Sequence, residues 1–407
     1  MSMRYTSLKA LQRPPCSAPA ETTACPTLLG ADGTSPHTVR PDVERLAQVL
    51  GATTKTNHYG EFLSVRCWCA QPPSFSPDPR ALKGLSGGSG TYPFLVGIGW
   101  WEGGGLEIEQ LFMREYSEER ALLFALGERI AEHPVVVTFN GKSFDWPLLE
   151  TRYRMTRKIC VPTPRAHLDF LHPARHLWRL RLGSVRLSEL ERHVLGWDRG
   201  ADLLSGLIPQ IYFDYLRGGP PERMVPVLNH NQLDLRGLAA LSSRILSLLS
   251  DAETLGRDGL ELFGVSRICE KRGEDVRARS LYEKSIASFL PIETDRVARR
   301  SLARLAKRQG DFELACELWK GALGNSRHGY EAFEQLAIYY ERKARDPEQA
   351  REIVRQALDE LRRAIQMGDI APGPYRDIKA RFDHRMERLG RKSQRPLLDS
   401  LVTQTQA

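Results

Sequence analysis

The stretch His230-Asn231-Gln232-Leu233-Asp234, HNQLD, sets an imidazole and a carboxylate four residues apart. On a helix that spacing puts both on one face, about one turn apart. A carboxylate that holds a divalent cation, beside an imidazole that takes a proton, suits a metal-activated water. A second acid, Asp145, stands in FNGKSFDWPLL, after the apolar run PVVVTF, which reads as a buried strand. An acid just past the end of a buried strand is well sited for a metal. Each residue also has a plainer use. Asp145 suits a helix N-cap, Asn140 suits a turn, and His230 suits a hydrogen-bonded helix position. Lys142 can reach a phosphate or only solvent.

These residues need an α/β frame, and the sequence supplies its parts. YPFLVGIGWW reads as a buried strand, EGGG as a hairpin loop, and LEIEQLFM alternates as a strand does. SEERALLFALGERIAEH has helical spacing, with Ser117 as N-cap and Glu118-Glu119 in the first turn. PVVVTFN is another buried strand, followed by a helix with Pro147 near its first turn. Residues 221–250 read as one long helix, PDVERLAQVLGA as a short helix ended by Gly51, and EFLSVRCW as a weak strand. Alternation of strands and helices predicts an α/β domain over residues 59–250. Residues 1–58 read as a mostly disordered arm with that short helix.

The C-terminal part changes character. KRGEDVRARSLYEKSI, KRQGDFELACELWKGAL and KARDPEQAREIVRQAL share one pattern. Each sets an Ala (Ala278, Ala315, Ala350), then a larger apolar residue (Tyr282, Trp319, Val354), then a small one (Ser285, Ala322, Ala357). Successive units are 37 and 35 residues apart. A period near 34 resembles tetratricopeptide repeats. An all-α repeat unit is expected over 255–365, then a terminal helix and frayed tail over 366–407.

The chain has 407 residues, seven scattered cysteines and a formal charge of +8. No run reaches the ~18 apolar residues of a membrane span, and the cysteines read as reduced thiols, so a cytoplasmic protein is expected. Residues 151–199 hold 11 Lys and Arg against four acids. Such a belt permits a polyanionic partner, DNA or RNA, with Arg152, Arg154, Arg179, Arg181, Asn140 and Lys142 as candidate contacts. Trp146, Trp178 and Trp197 are read as core rather than as stacking platforms.

Residues 84–250 resemble the YprB-type members of the ribonuclease H-like superfamily, in the DEDD 3′–5′ exonuclease group. The resemblance rests on GLSGGSGTYPFLVGIG, TFNGKSFDWPLLETRY, LSELERHVLG, IPQIYFDYLRGG and VLNHNQLDLRGLAAL, in that order. It implies a mixed sheet with flanking helices and phosphodiester hydrolysis by four carboxylates and two cations, Mg²⁺ or Mn²⁺. It implies Asp145 as the second acid, Asp234 as the last, and His230 as the general base. Asp169 is tempting as a further ligand but is read as orienting a neighbouring basic residue.

The resemblance also implies an Asp-x-Glu-Thr-Thr strand directly before Gly84. That strand is absent. Pro79 and Ala81 hold the two acidic positions, and no Glu occurs from Cys67 through Trp101. The first core strand is therefore expected to be missing, by a deletion between Lys83 and Gly84, with EFLSVRCW as the replacement partner of FLVGIGWW. Asp78 or Glu61 remains the alternative source of a carboxylate. The expectation is a metal-dependent exonuclease-like protein, impaired here, with at most weak single-metal binding. The alternative is a non-catalytic nucleic-acid-binding or scaffold protein with a protein partner on its repeats.

Overall fold

The computed structural model describes residues 43–70, 83–87, 92–156, 159–200, 202–256, 258–323 and 330–404. The chain divides into two compact units, Met1–Ser250 and Asp251–Ala407. Residues 1–42, Asp78 and the rest of 71–82 lie outside the described residues, so the expected disordered arm and the Asp78 alternative do too.

In the first unit, α1 (Val43–Leu50) ends at Gly51, whose φ of 59° suits glycine. A seven-stranded mixed sheet follows: β1 (Thr53–Asn57), β2 (Gly60–Ala70), β3 (Lys83–Gly87), β4 (Leu95–Glu102), β5 (Gly105–Phe112), β6 (Val135–Thr138) and β7 (Ala166–Asp169). The spatial order is β1-β2-β5-β4-β3-β6-β7. The β3–β6 and β6–β7 pairs are parallel, and the others are antiparallel. The sheet thus begins at β1, upstream of residue 59.

The helices of this unit are α2 (Glu119–Glu132), α3 (Asp145–Thr156), α4 (Leu171–Leu182), α5 (Leu187–Leu190), α6 (Ile208–Leu216) and α7 (Val225–Ser250). The apolar faces of α2, α3, α6 and α7 close on a core that includes Leu95, Val96, Phe94, Phe112, Leu122, Tyr153, Tyr212 and Val227, all essentially buried.

Two expectations about the sheet are corrected. β2 does not replace the missing partner of β4; it pairs with β5, from Leu63↔Phe112 to Ala70↔Gly105. The central position is not left without a strand either. Lys83–Gly87, the start of the glycine-rich segment, is β3, with Gly84 opposite Gly99 of β4 and Val137 of β6. The physical reason is backbone pairing. Two facing strand edges inside a sheet hold N–H and C=O groups that must find partners, and a poor strand former satisfies them better than nothing.

α7 crosses β3, β4 and β5. It comes so close that a Cβ on Gly97 would lie 2.2 Å from Asn231 Oδ1. Gln110 Nε2 donates to that same oxygen at 2.8 Å and to the Leu228 carbonyl at 2.9 Å. These contacts fix the helix that carries HNQLD against the sheet.

The other side of the sheet is tied by Glu109, 1% exposed. It accepts from Ser64 of β2, Arg66 of β2, Lys55 of β1 and Arg129 of α2. Burial alone would raise the Glu109 carboxyl, but Arg129, Arg66, Lys55 and Ser64 outweigh it and hold it at about 2, against an ordinary 4.5. A carboxyl with a lowered folded-state pKa contributes stability above its unfolded value and loses it as pH falls through the folded one. The melting temperature is therefore expected to drop between pH 4.5 and about 2. Glu109→Gln should flatten that dependence and cost about 3 kcal/mol at neutral pH, because Lys55 and Arg66 lose their carboxylate and Arg129 keeps only Glu132. Melting curves against pH for both chains check this.

The second unit contains α8 (Ala252–Leu255), the helix pairs α9 (Gly259–Arg272) with α10 (Asp275–Ala287), α11 (Ile292–Arg308) with α12 (Phe312–Ala322), and α13 (Tyr330–Arg342) with α14 (Pro347–Gln366), then α15 (Pro372–Gln404). The repeated Ala278, Ala315 and Ala350 are all buried, as are Tyr282, Trp319 and Val354, on the second helix of each pair. Asp258, Asp311 and Asp346 cap α9, α12 and α14 by accepting a backbone N–H three residues on. α15 runs to Gln404, through residues the sequence marks as a frayed tail.

Candidate functional site

The site is built where β6 and β7 end. After Thr138 the chain turns through Asn140, whose φ of 69° is tolerated best by Asn or Gly. Asp169, at the end of β7, holds this turn. Its Oδ1 accepts from the Asn140 N–H at 2.8 Å and the Leu171 N–H at 3.1 Å, and its Oδ2 from the Lys142 N–H at 3.1 Å. Asp169 thus pins backbone rather than a basic side chain, which corrects the sequence reading.

The turn delivers Asp145 to the first position of α3, 1% exposed. Burial first, then the charges of Asp169 and Asp234, push its carboxyl up to about 8. The fold therefore brings Asp145, Asp169 and Asp234 within electrostatic reach, although 89 residues separate the first from the last.

His230 and Asp234 share one face of α7, with Nε2 and Oδ2 3.6 Å apart. Three residues outside every sequence motif surround them. Asp202 Oδ1 accepts from His230 Nδ1 at 2.7 Å, and Ser205 Oγ lies 3.2 Å from Nε2. Burial raises the Asp202 carboxyl, but His230 and Arg199 outweigh it and keep it below the usual range. An ionised Asp202 fixes the proton on Nδ1 and leaves Nε2 facing Asp234 and Ser205.

Arg199 is the centre of the charge network. Its Nη1 lies 2.8 Å from Asp234 Oδ1 and 3.0 Å from Asp202 Oδ2, while its Nε and Nη2 clasp Glu191. Burial works against the charge on Arg199, but Glu191, Asp234 and Asp202 outweigh it and hold the guanidinium firmly protonated. Sequence reading places Arg199 in the basic belt; the fold turns it inward. Glu191 stood inside the quoted LSELERHVLG stretch, whereas Asp202 sits in a loop 28 residues from His230 with no motif to mark it.

The expected metal ligands were Asp145 and Asp234. Among the described residues no three His, Cys, Asp or Glu side chains form a group that could hold a metal ion. Asp234 is committed to Arg199, and Asp169 to backbone. Glu61, the alternative acid, is on β2, which β5 and β4 separate from β3, and it pairs with Arg114 at 2.9 Å. The described donors do not fit a two-cation site.

The nucleic-acid candidates divide. Arg152 is buried, its guanidinium clasped by Glu119 and 3.9 Å from the Tyr92 ring centre, so it does not face a polyanion. Lys142, Arg154 and Arg179 are exposed, and Asn140 and Arg181 are half-buried. Arg175 and Arg179 are i and i+4 on the exposed side of α4. Trp178 is fully buried and Trp146 partly so, as core residues should be, whereas Trp197 is exposed, which corrects its reading as core.

Residues 82–246 match a family model described as the RNase_H superfamily. The α/β unit is a ribonuclease H-like domain. The chain is also similar to the uncharacterized protein YprB of Bacillus subtilis (strain 168), 28% identical over 280 residues, which cover 68% of this chain and 67% of that one. A family B DNA polymerase from the archaeon Pyrobaculum calidifontis aligns at 14% identity and a TM-score of 0.34, over 54% of this chain and 29% of the polymerase. In this domain Asp169 is tied to backbone N–H groups, and Asp202, Asp234 and Glu191 are tied to Arg199.

Gly237 makes that tie possible. A Cβ there would lie 1.6 Å from Glu191 Oε1. Gly237→Ala is expected to push Glu191 off Arg199 and cost about 3 kcal/mol. Glu191→Ala removes the obstacle, so the double variant should be less destabilised than the sum of the singles, as a chemical-denaturation cycle would show.

Proposed function

We propose that this protein binds nucleic acid through its ribonuclease H-like domain and that its phosphodiester-cleaving chemistry is impaired. The observation that carries this reading is the composition of β3. The central strand, beside the one that leads to Asp145, is Lys83-Gly84-Leu85-Ser86-Gly87 and contains no carboxylate. Two-cation hydrolysis needs an acid there to bridge the ions, and without one the attacking and leaving oxygens lose their clamp. Asp145, Asp234 and His230 are read as second acid, last acid and base, and a Mg²⁺ or Mn²⁺ ion would find too few free oxygens among them. The exposed cations of α4 and Lys142 supply the phosphate contacts.

For the second unit the reading is a tetratricopeptide-like array with a protein partner. Its support is the three helix pairs and a cavity of about 300 Å³ beside Trp319, lined by Leu290, Ile292, Ala303 and Ala332 with Arg299 at its edge.

The test is fluorescence anisotropy with labelled single- and double-stranded DNA and RNA at rising salt, followed by gel analysis of the same mixtures with Mg²⁺ or Mn²⁺. Binding should weaken steeply with salt. Arg175→Ala/Arg179→Ala should weaken it alike for all sequences and lower the log–log slope by about 2. No strand shortening is expected, and Asp145→Asn should match the parent. Shortening that Asp145→Asn abolishes would overturn the impairment. Salt-insensitive or absent binding would overturn the nucleic-acid reading.

A further inference from the structure

Three carboxylates converge on one guanidinium. Glu191 engages Nε and Nη2 of Arg199, and Asp202 and Asp234 share Nη1. His230 stands against two of the same acids, at 2.7 Å from Asp202 and 3.6 Å from Asp234. Carboxylate oxygens are the donors that Mg²⁺ and Mn²⁺ accept. In this fold a side-chain cation stands among them.

We propose that Arg199 is the built-in cation of this site: it holds Asp234, Asp202 and Glu191 together in place of a divalent ion, and its removal opens a site for one hard divalent cation. The inference deepens the reading of an impaired site, since it concerns the same acid, Asp234. It is separable from that reading because cation uptake is measured with no nucleic acid present.

Burial and hydrogen-bond geometry support it. The Glu191 side chain is 1% exposed, Arg199 10%, Asp234 13% and Asp202 20%. Acids this enclosed need a counter-charge, and when one is lost they take up protons or another cation. The guanidinium offers five N–H groups in a fixed fork; three hydrogen bonds go to Glu191 and Asp202, and Asp234 is held as an ion pair 2.8 Å from Nη1. Arg199 is thus spent inside the protein and is not a phosphate-binding arginine. Gly237 completes the enclosure by letting Glu191 reach the guanidinium, since any side chain there would occupy the Glu191 position.

The test is a Mn²⁺ titration of the full chain followed by electron paramagnetic resonance, which reads free Mn²⁺ directly. The parent is expected to take up no Mn²⁺ that depends on Asp234. Arg199→Ala should bind a single equivalent, lost again in Arg199→Ala/Asp234→Asn, and its melting temperature should rise by about 5 °C at saturating Mn²⁺. Arg199→Ala/Glu191→Gln leaves one fewer buried charge and serves if the single variant does not fold alone. Mn²⁺ uptake by the parent that Asp234→Asn abolishes would overturn the proposal. So would folded Arg199 variants that take up no Mn²⁺, or variants that stay unfolded with Mn²⁺ present.

Discussion

A sheet cannot leave an open slot between two of its inner strands. β4 and β6 face each other across one position, and their backbone groups there must be paired. The chain meets this demand with Lys83–Gly87, a segment whose two glycines and serine have little intrinsic preference for a strand. The rest of the unit depends on this pairing. It closes the sheet beside β6, which pairs with β7 so that Thr138 faces Asp169, next to the turn that delivers Asp145. A ladder needs only N–H and C=O groups, which any residue but proline supplies in full, whereas metal ligation needs particular carboxylates.

With no acid from β3, the remaining charges settle among themselves. Asp169 is satisfied by three backbone N–H groups, and Asp234 by Arg199. Arg199 in turn binds Asp202, which orients His230. The network links Arg199 and Asp202 to α7 and to Glu191, just past α5. Its members are mutually dependent, since a buried charge left without its partner costs several kcal/mol. In this ribonuclease H-like domain an arginine supplies the positive charge at Asp234.

Much of this was legible in the sequence. The apolar runs at 94–101 and 134–139, the alternation of LEIEQLFM and the Ala spacing of the helical unit report burial, which is local and periodic. The HNQLD spacing likewise gave the shared face of His230 and Asp234. What could not be read was partner choice. EFLSVRCW pairs with β5 because Arg66 and Glu109 stand opposite each other and the run continues to Ala70. Nothing in the one-dimensional pattern distinguishes that from pairing with β4. The same limit hid Arg199 and Arg152. A count of basic residues cannot tell an arginine turned outward from one turned toward Glu191 or Glu119.

The proposal to test is that Arg199, in place of a divalent ion, balances Asp234, Asp202 and Glu191. The most direct measurement is anomalous diffraction from crystals of the full chain soaked in Mn²⁺. The expected map has no anomalous peak beside Asp145 or Asp234, and density for Arg199 continuous with Asp234. A peak ligated by both aspartates, with Arg199 swung away, would contradict the account.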